Sequence, residues 1–382
     1  MTIKILFITT GLVTGGAEMM LYKLLSKIDR TKFEPVVLSL MGKDSFGDRI
    51  IALDILLYTL NMNRGKPSFQ KFTQLINLVK QEQPNIIQGW MYHANFAAQL
   101  ARFFSFKSIP VVWNIRHSLY SLDYEKKDTA AIIRLLSKLS KFPAKIIYNS
   151  QMGATQHEKI GYQVDKTIVI PNGFDTELFK PSLENRWSVR RELGVVENTF
   201  LIGRICRYHP MKDHDNFLRA AAILLPDFPE LHFVLVGTEV NRNNLHLTQL
   251  ISELNISDRV HLLGERRDIS RLTSALDLAV SSSYFGEAFP NIIGEAMACQ
   301  VPCVVTDVGD SALIVGDTGK VVPPRNPQAM ADGCRELMLL GAEARLVLGE
   351  KARQRIVQEF SLDASNSVVK QYETLYTQLS RQ

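Results

Sequence analysis

The sequence predicts an α/β protein made of two doubly wound parallel sheets, one after the other along the chain. Three observations carry that expectation. Short β-branched runs alternate with helical patterns from end to end. Those runs are nearly continuous in apolar residues, as parallel strands covered on both faces must be. The alternation also halts and restarts midway in 382 residues, a length that suits two ordinary cores better than one.

In the first half the strand candidates are IKILFIT, FEPVVLSL, NIIQGWM, PVVWNIRH, KIIYNS and TIVIPNG. Helical stretches lie between most of them, including Ala17–Ile28, Phe69–Gln81 and Lys126–Lys141. The second half offers FLIGRICR, LHFVLVGT, RVHLLGE, LAVSSSYF and CVVTDVG. The seam falls at residues 171–198, where Pro171-Asn172-Gly173 marks a turn, Pro181 breaks the chain, and the charged helix ENRWSVRRELG comes next. The expected domains are therefore residues 1–180, 181–360 and a terminal helical segment 361–382. In Ser361–Leu379, Val368, Val369, Tyr372, Leu375, Tyr376 and Leu379 recur at helical spacing. Two such sheets would leave a cleft at the carboxyl ends of their strands, where open α/β sheets take ligands.

Composition narrows the class. With 46% hydrophobic and 22% charged residues the chain reads as a soluble globular protein. Its four cysteines lack metal-ligand spacing and are too few for a disulfide scaffold, so reduced thiols and a cytoplasmic location are expected. The run ILFITTGLV is too short for a secretory leader, and no stretch of about 18 apolar residues could span a bilayer. Residues 1–180 hold 23 Lys+Arg against 14 Asp+Glu, whereas the remainder holds 21 against 25. A basic first half facing an anionic ligand or membrane surface is one reading of that asymmetry, and chance variation among solvated faces is the other.

Four stretches carry candidate chemistry. GLVTGGAEMM comes after the first strand, and Gly15-Gly16 would let backbone N–H groups approach an anion at a helix N-terminus. A plain strand-to-helix turn is the competing reading, since the spacing is not that of a dinucleotide fingerprint. RICRYHPMKDH places Arg207 and Lys212 at the carboxyl edge of the second sheet, where two permanent cations suit a diphosphate. Asp213 and Asp215 spell D-x-D, but they fit the start of a helix, offsetting its dipole, better than a metal site. YFGEAFPNIIGEAMACQVP sets Glu287 in a loop and Glu295 within a helix expected from Asn291 to Cys299. N–H groups around Phe289, Asn291 and Ile292 would receive phosphate or sugar oxygens. Finally, His117 closes the strand PVVWNIRH and is either a hydroxyl-binding imidazole or an ordinary packed histidine. The basic helix Lys126–Lys141 is expected to bury Ile132, Leu135, Leu136 and Leu139 against its sheet; resting on an anionic membrane is the alternative.

Together GGAE (15–18), IPNGFDTELFKP (170–181), RICRYHPMKD (204–213) and GEAFPNIIGEAMACQVPCVVTDVGD (286–310) resemble the retaining GT-B glycosyltransferases of family 4, over essentially the whole chain. The two glutamates eight apart are the most specific element of the resemblance. It implies that Arg207 and Lys212 clamp a donor diphosphate and that Glu295 holds the ribose hydroxyls. Glu287, with the amides of Phe289, Asn291 and Ile292, would hold the transferred sugar. Gly15 and Gly16 would lie against the diphosphate or acceptor, and His117 would contact a donor sugar hydroxyl. Val260 to Gly264, with Leu263 and Gly264, resembles the segment near the base. Gln300 departs from the glycine usual at that helix end, which puts the local geometry in question.

The activity implied is transfer of a hexose or N-acetylhexosamine from a nucleotide sugar, UDP-linked, to a lipid-linked or growing polysaccharide acceptor. It needs no metal and no cofactor beyond the donor, and no nucleic-acid partner. A nucleotide-sugar epimerase of the same fold would need a general acid/base pair that the sequence does not plainly show. A non-catalytic nucleotide- or carbohydrate-binding protein is the third reading.

Overall fold

A computed structural model describes residues 2–13, 15–63, 68–105, 108–363 and 367–381. The chain forms two compact units, Met1–Gly173 with Ser365–Gln382, and Phe174–Ala364. Strands of the first are β1 (Ile3–Thr9), β2 (Phe33–Ser39), β3 (Leu56–Thr59), β4 (Ile86–Trp90), β5 (Val111–Ile115), β6 (Lys145–Tyr148) and β7 (Thr167–Val169). Those of the second are β8 (Leu201–Ile205), β9 (His232–Val236), β10 (Val260–Leu262), β11 (Leu278–Ser281), β12 (Cys303–Thr306) and β13 (Lys320–Val322). All pair in parallel, in the orders β3-β2-β1-β4-β5-β6-β7 and β10-β9-β8-β11-β12-β13. Each sheet thus reverses direction beside its first strand, and that switch point is where doubly wound sheets bind ligands. The expected α/β class with two parallel sheets is borne out.

Two strands escape the sequence pattern. In IIALDILLYTL the helix Asp44–Ile51 runs almost directly into β3, so helix and strand merge into one apolar stretch. Three-residue β13 sits at a sheet edge with Val321 exposed, which breaks the apolar signal. The basic helix also differs from expectation. Lys127–Leu139 buries Ala130, Ile133 and Leu136, while Leu135 is exposed. Of the four residues expected inward, Leu136 is buried and Ile132 and Leu139 pack half-buried on the core of the first sheet, where Ile133 joins them; only Leu135 turns outward.

The terminal helix is Val368–Leu379, capped by Ser367, whose hydroxyl accepts from Lys370 N. The predicted segment from Ser361 includes 364–366, outside the described residues. The helix buries Tyr372 and Tyr376 in the first unit. Tyr376 donates to Gln88 Oε1 at 2.6 Å, and Asn114 Nδ2 and Arg116 donate to Tyr372 Oη at 2.8 and 2.9 Å. Residues 174–180, placed in the first domain from sequence, lie with the second unit. The cause is Phe174, fully buried, which stacks on Phe289 and covers Gly294 where no Cβ would fit. Among the described residues no helix is long and apolar enough to cross a membrane.

Candidate functional site

In the second unit the switch point lies between β8 and β11, and the loops leaving both strands are tied together. Pro210–Lys212 forms one 3-10 turn, capped by His209, whose Nδ1 accepts from Met211 N at 3.2 Å. Asp213 then adopts φ +48 and caps the helix His214–Leu224 by accepting from Asn216 N at 3.2 Å. With Asp215 in that helix's first turn, accepting from His246 Nε2 at 2.9 Å, both aspartates of the D-x-D are engaged in the helix start. Arg204, buried within β8, donates to the Lys212 carbonyl. From the loop after β11, Ser282 Oγ donates to Asp213 O at 2.8 Å, and Tyr284 N to Met211 O at 2.8 Å.

This lacing brings Lys212 Nζ onto Glu287 Oε1 as a nearly buried ion pair. Ser283 Oγ donates to the same oxygen at 2.7 Å, and Oε2 has no hydrogen-bond partner among the described residues. Burial alone would push the Glu287 carboxyl up. The charge and hydrogen bond of Lys212, the Ser283 hydroxyl and the charge of Arg204 outweigh it, so the group sits below its usual range and stays ionised. The edge as a whole is electropositive. His209 is held below its usual value by burial and by Arg207 and Lys212. Burial, then Arg204 and Lys212, takes His214 down to about 2.

Two glycines shape the loop. Gly286 has φ +75 and Gly309 φ +61, the left-handed region that side chains rarely adopt. A Cβ on Gly309 would also run into the carbonyl oxygens of Glu287 and Ala288, the latter at 2.7 Å. Asp310 N donates to Ala288 O at 2.9 Å and pins that approach.

The other predicted residues fall nearby in sequence but differ in setting. Arg207 is exposed, with its guanidinium 4.0 Å from Met211 Sδ, and it does not share the Lys212–Glu287 pair. Helix Asn291–Ala298 starts after Pro290, with Asn291, Ile292 and Glu295 half-buried and Phe289 buried just before it. Its first turn, like any helix start, carries N–H groups without intrahelical acceptors. Gly264, at φ +69, donates to Val240 O and accepts from Gly237 N, both at 2.8 Å, and half-buried Leu263 precedes it. Lys212 and Glu287, expected to serve different parts of a ligand, are thus in direct contact. Arg204 is a site residue that sequence reasoning misses, although an arginine inside the apolar run LIGRI is a signal that could find it. Ser283 leaves no such signal.

In the first unit Gly15 precedes the helix Gly16–Lys27 in extended conformation. His117 lies just beyond β5, half-buried, with Nδ1 3.3 Å from Tyr92 Oη and Nε2 3.5 Å from Glu125 Oε1. Tyr92 begins the helix Tyr92–Phe104 beyond β4, and its Oη is also 2.8 Å from His157 Nε2. Burial lowers the His117 pKa, against the charge of Glu125.

Among known proteins, a model described as Glycosyltransferase Family 4 matches residues 14–178, and one described as Glycosyl transferases group 1 matches residues 198–339. N-acetyl-alpha-D-glucosaminyl L-malate synthase of Bacillus anthracis is 30% identical over 50% of this chain and 49% of its own length. UDP-Gal:alpha-D-GlcNAc-diphosphoundecaprenol alpha-1,3-galactosyltransferase of Escherichia coli is 32% identical over 39% of each. The matches therefore span about half or less of those two relatives. Among solved structures, Anabaena HepE in complex with UDP superposes with TM-score 0.85 at 25% identity, over 98% of this chain and 100% of that one. The same protein with UDP and glucose gives 0.83 at 26%, over the same shares. The paired parallel sheets, the motif loops at the switch point and both family matches agree: the chain belongs to the GT-B glycosyltransferases of family 4, group 1.

Proposed function

We propose that the protein transfers a hexose or N-acetylhexosamine from a UDP-sugar to a lipid-linked or growing polysaccharide acceptor, with retention of configuration and without a divalent metal. The observation that carries this reading is the Lys212–Glu287 pair at the carboxyl edge of β8 and β11. It combines a fixed cation with a carboxylate that keeps one oxygen available for hydroxyl groups. The binding of UDP, and of UDP with glucose, by HepE supports a nucleotide-sugar donor. The E. coli relative, named for a diphosphoundecaprenol substrate, supports a lipid-linked acceptor.

In this reading Lys212 and Arg207 meet the diphosphate, helped by the first-turn amides at Asn291 and Ile292 and by the amide of Phe289. Glu287 Oε2 accepts from a sugar hydroxyl, Glu295 accepts from the ribose, and Leu263 with Gly264 lies by the base. For the first unit, the family resemblance assigns Gly15 and Gly16 to diphosphate or acceptor and His117 to a sugar hydroxyl. Cleavage of the sugar–phosphate bond loads negative charge on the diphosphate, and cations fixed beforehand stabilise it without reorganising. Glu287 is ionised at neutral pH, so it accepts hydrogen bonds and cannot serve as a general acid. The family resemblance supplies the remaining step: the departing phosphate takes the acceptor's proton on the same face, which yields retention.

Incubation with a panel of UDP-sugars, with and without chelator, tests this through UDP release and the anomeric configuration of the product. Release that survives the chelator, with a retained anomer, is expected. An epimerised nucleotide sugar would identify the epimerase, and binding without release or epimerisation would identify a non-catalytic binder.

A further inference from the structure

In the first unit His157 is fully buried. Tyr92, Tyr148 and Tyr162 ring it at centroid distances of 5.8, 5.3 and 5.1 Å. Its Nδ1 lies 2.7 Å from the Gly153 carbonyl. A carbonyl oxygen only accepts, so His157 must carry a proton on Nδ1. Burial lowers the His157 pKa to about 4, so the ring is neutral at pH 7 and its Nε2 is a lone pair. That lone pair takes the single hydroxyl hydrogen of Tyr92 at 2.8 Å. Toward His117 Nδ1, at 3.3 Å, the Tyr92 oxygen can then only accept. His117 must therefore donate from Nδ1, and in the neutral ring its Nε2 is left without a proton.

We propose that Tyr92 and His157 are positioning residues that lock His117 in the Nδ1–H tautomer, so that Nε2 accepts the hydrogen of a bound sugar's hydroxyl. This rests on the sugar-transfer reading only for the identity of the ligand; the tautomer is set by the chain Gly153–His157–Tyr92–His117, whose 3.3 Å contact at Nδ1 competes with the Glu125 carboxylate 3.5 Å from Nε2. The charged group facing His117 Nε2 is Glu125, at 3.5 Å. It sets the limit of the device. A protonated His117 would donate from Nε2 to Glu125 and could no longer accept from a hydroxyl. Nothing in the relay moves a proton during the reaction; it selects which nitrogen is bare.

The experiment is long-range proton–nitrogen NMR on protein labelled with ¹⁵N-histidine, near pH 7.5 and without ligand, with His117 and His157 assigned by single replacement. In the wild type both rings are expected to be neutral with the proton on Nδ1. Tyr92→Phe keeps the buried ring but removes the acceptor, so the His117 proton should move toward Nε2. The same variant should lose roughly tenfold in kcat/KM for the UDP-sugar, the size of one mispaired hydrogen bond. Glu125→Gln should shift the acid limb of the pH–rate profile to lower pH, because Glu125 is the group that favours the His117 cation. A wild-type His117 that bears its proton on Nε2, or on both nitrogens, overturns the proposal, as does an unchanged His117 pattern in Tyr92→Phe. If no nucleotide sugar is turned over, the wild-type spectrum still decides whether the tautomer is locked, while the failed turnover counts against the transferase reading alone.

Discussion

The two sheets share a strand order but equip their carboxyl edges in opposite ways. Beyond β8 and β11 the second unit holds fixed charge: Arg204, Lys212 and Glu287, laced by serine hydroxyls and turned by left-handed glycines. Beyond β4 and β5 the first unit holds a neutral chain of His117, Tyr92 and His157. Fixed charge matters most where charge develops in a reaction, and a neutral chain matters where a hydroxyl must be read. The same scaffold can thus divide electrostatic work from hydrogen-bond reading through the loops that leave its strands.

The sharpest way to break that comparison is Lys212→Ala. It removes the fixed cation and strands Glu287 in a nearly buried position. On the order of 10²- to 10³-fold should be lost in kcat for UDP release. Stability should fall by about 3 kcal/mol, because an uncompensated buried carboxylate remains. Urea denaturation and single-turnover kinetics measure the two effects separately. An unchanged rate would show that the second edge does not depend on its charge.

Acid stability separates the two edges next. His157 titrates at about 4 when folded, against 6.5 for an ordinary imidazole. Between those values the unfolded chain holds a proton that the native chain lacks. Its contribution is therefore complete above pH 6.5 and is lost as pH falls toward 4, about 3 kcal/mol in all. Glu287 also titrates below its reference of 4.5, so its contribution is present above that value and fades only at lower pH. Melting curves from pH 8 to about pH 3.5 should accordingly lose slope between 6.5 and 4 in His157→Gln. In Glu287→Gln the change should be confined to pH below about 4.5.

Gly309→Ala tests whether backbone strain serves the charged edge. The new Cβ would need φ +61 and would collide with the carbonyls of Glu287 and Ala288. A loss of about 2–3 kcal/mol in thermal or urea unfolding is expected, with weaker UDP-sugar binding because the Glu287 loop must move. Equal stability with intact binding would mean that the loop tolerates another path.

The same physics decides how legible these edges are in the sequence. The central strands announce themselves because burial on both faces demands nearly continuous apolar runs, as in VVWNI and HFVLV. Strand β3 stays hidden because it merges with the helix before it into one apolar stretch, and β13 because Lys320 and exposed Val321 blur its short run. Motif spacing places Lys212 and Glu287 at one sheet edge, but their direct contact depends on the non-local hydrogen bonds of Ser282 and Tyr284, which no local pattern encodes. His117 is found as the end of a strand. Tyr92 and His157 are invisible beside it, since 25 residues separate Tyr92 from His117 and 65 separate it from His157, and only the folded sheet brings the three together.

The smallest effect lies at the far end of the helix that begins beside Glu287. Helix Asn291–Ala298 passes through Cys299 into Gln300, which adopts φ +62 without being glycine. The sequence leaves the geometry there in question, and the chain resolves it by keeping the left-handed turn and accepting the strain. That strain costs about 1–2 kcal/mol for an L-residue, against roughly 0.4–1 kcal/mol of extra unfolded-state freedom for glycine. Gln300→Gly should therefore stabilise the protein by about 0.5–1 kcal/mol. Because the Gln300 carbonyl packs where a Cβ on Gly349 would sit, the gain requires the backbone to stay in place. UDP-sugar turnover should be unchanged, since Gln300 itself bonds through its N–H to Met297 O and to none of Arg204, Lys212 and Glu287. A stabilised variant with normal kinetics would separate two kinds of strain in one unit: that of Gly309, which shapes the loop carrying Glu287, and that of Gln300, which only ends a helix.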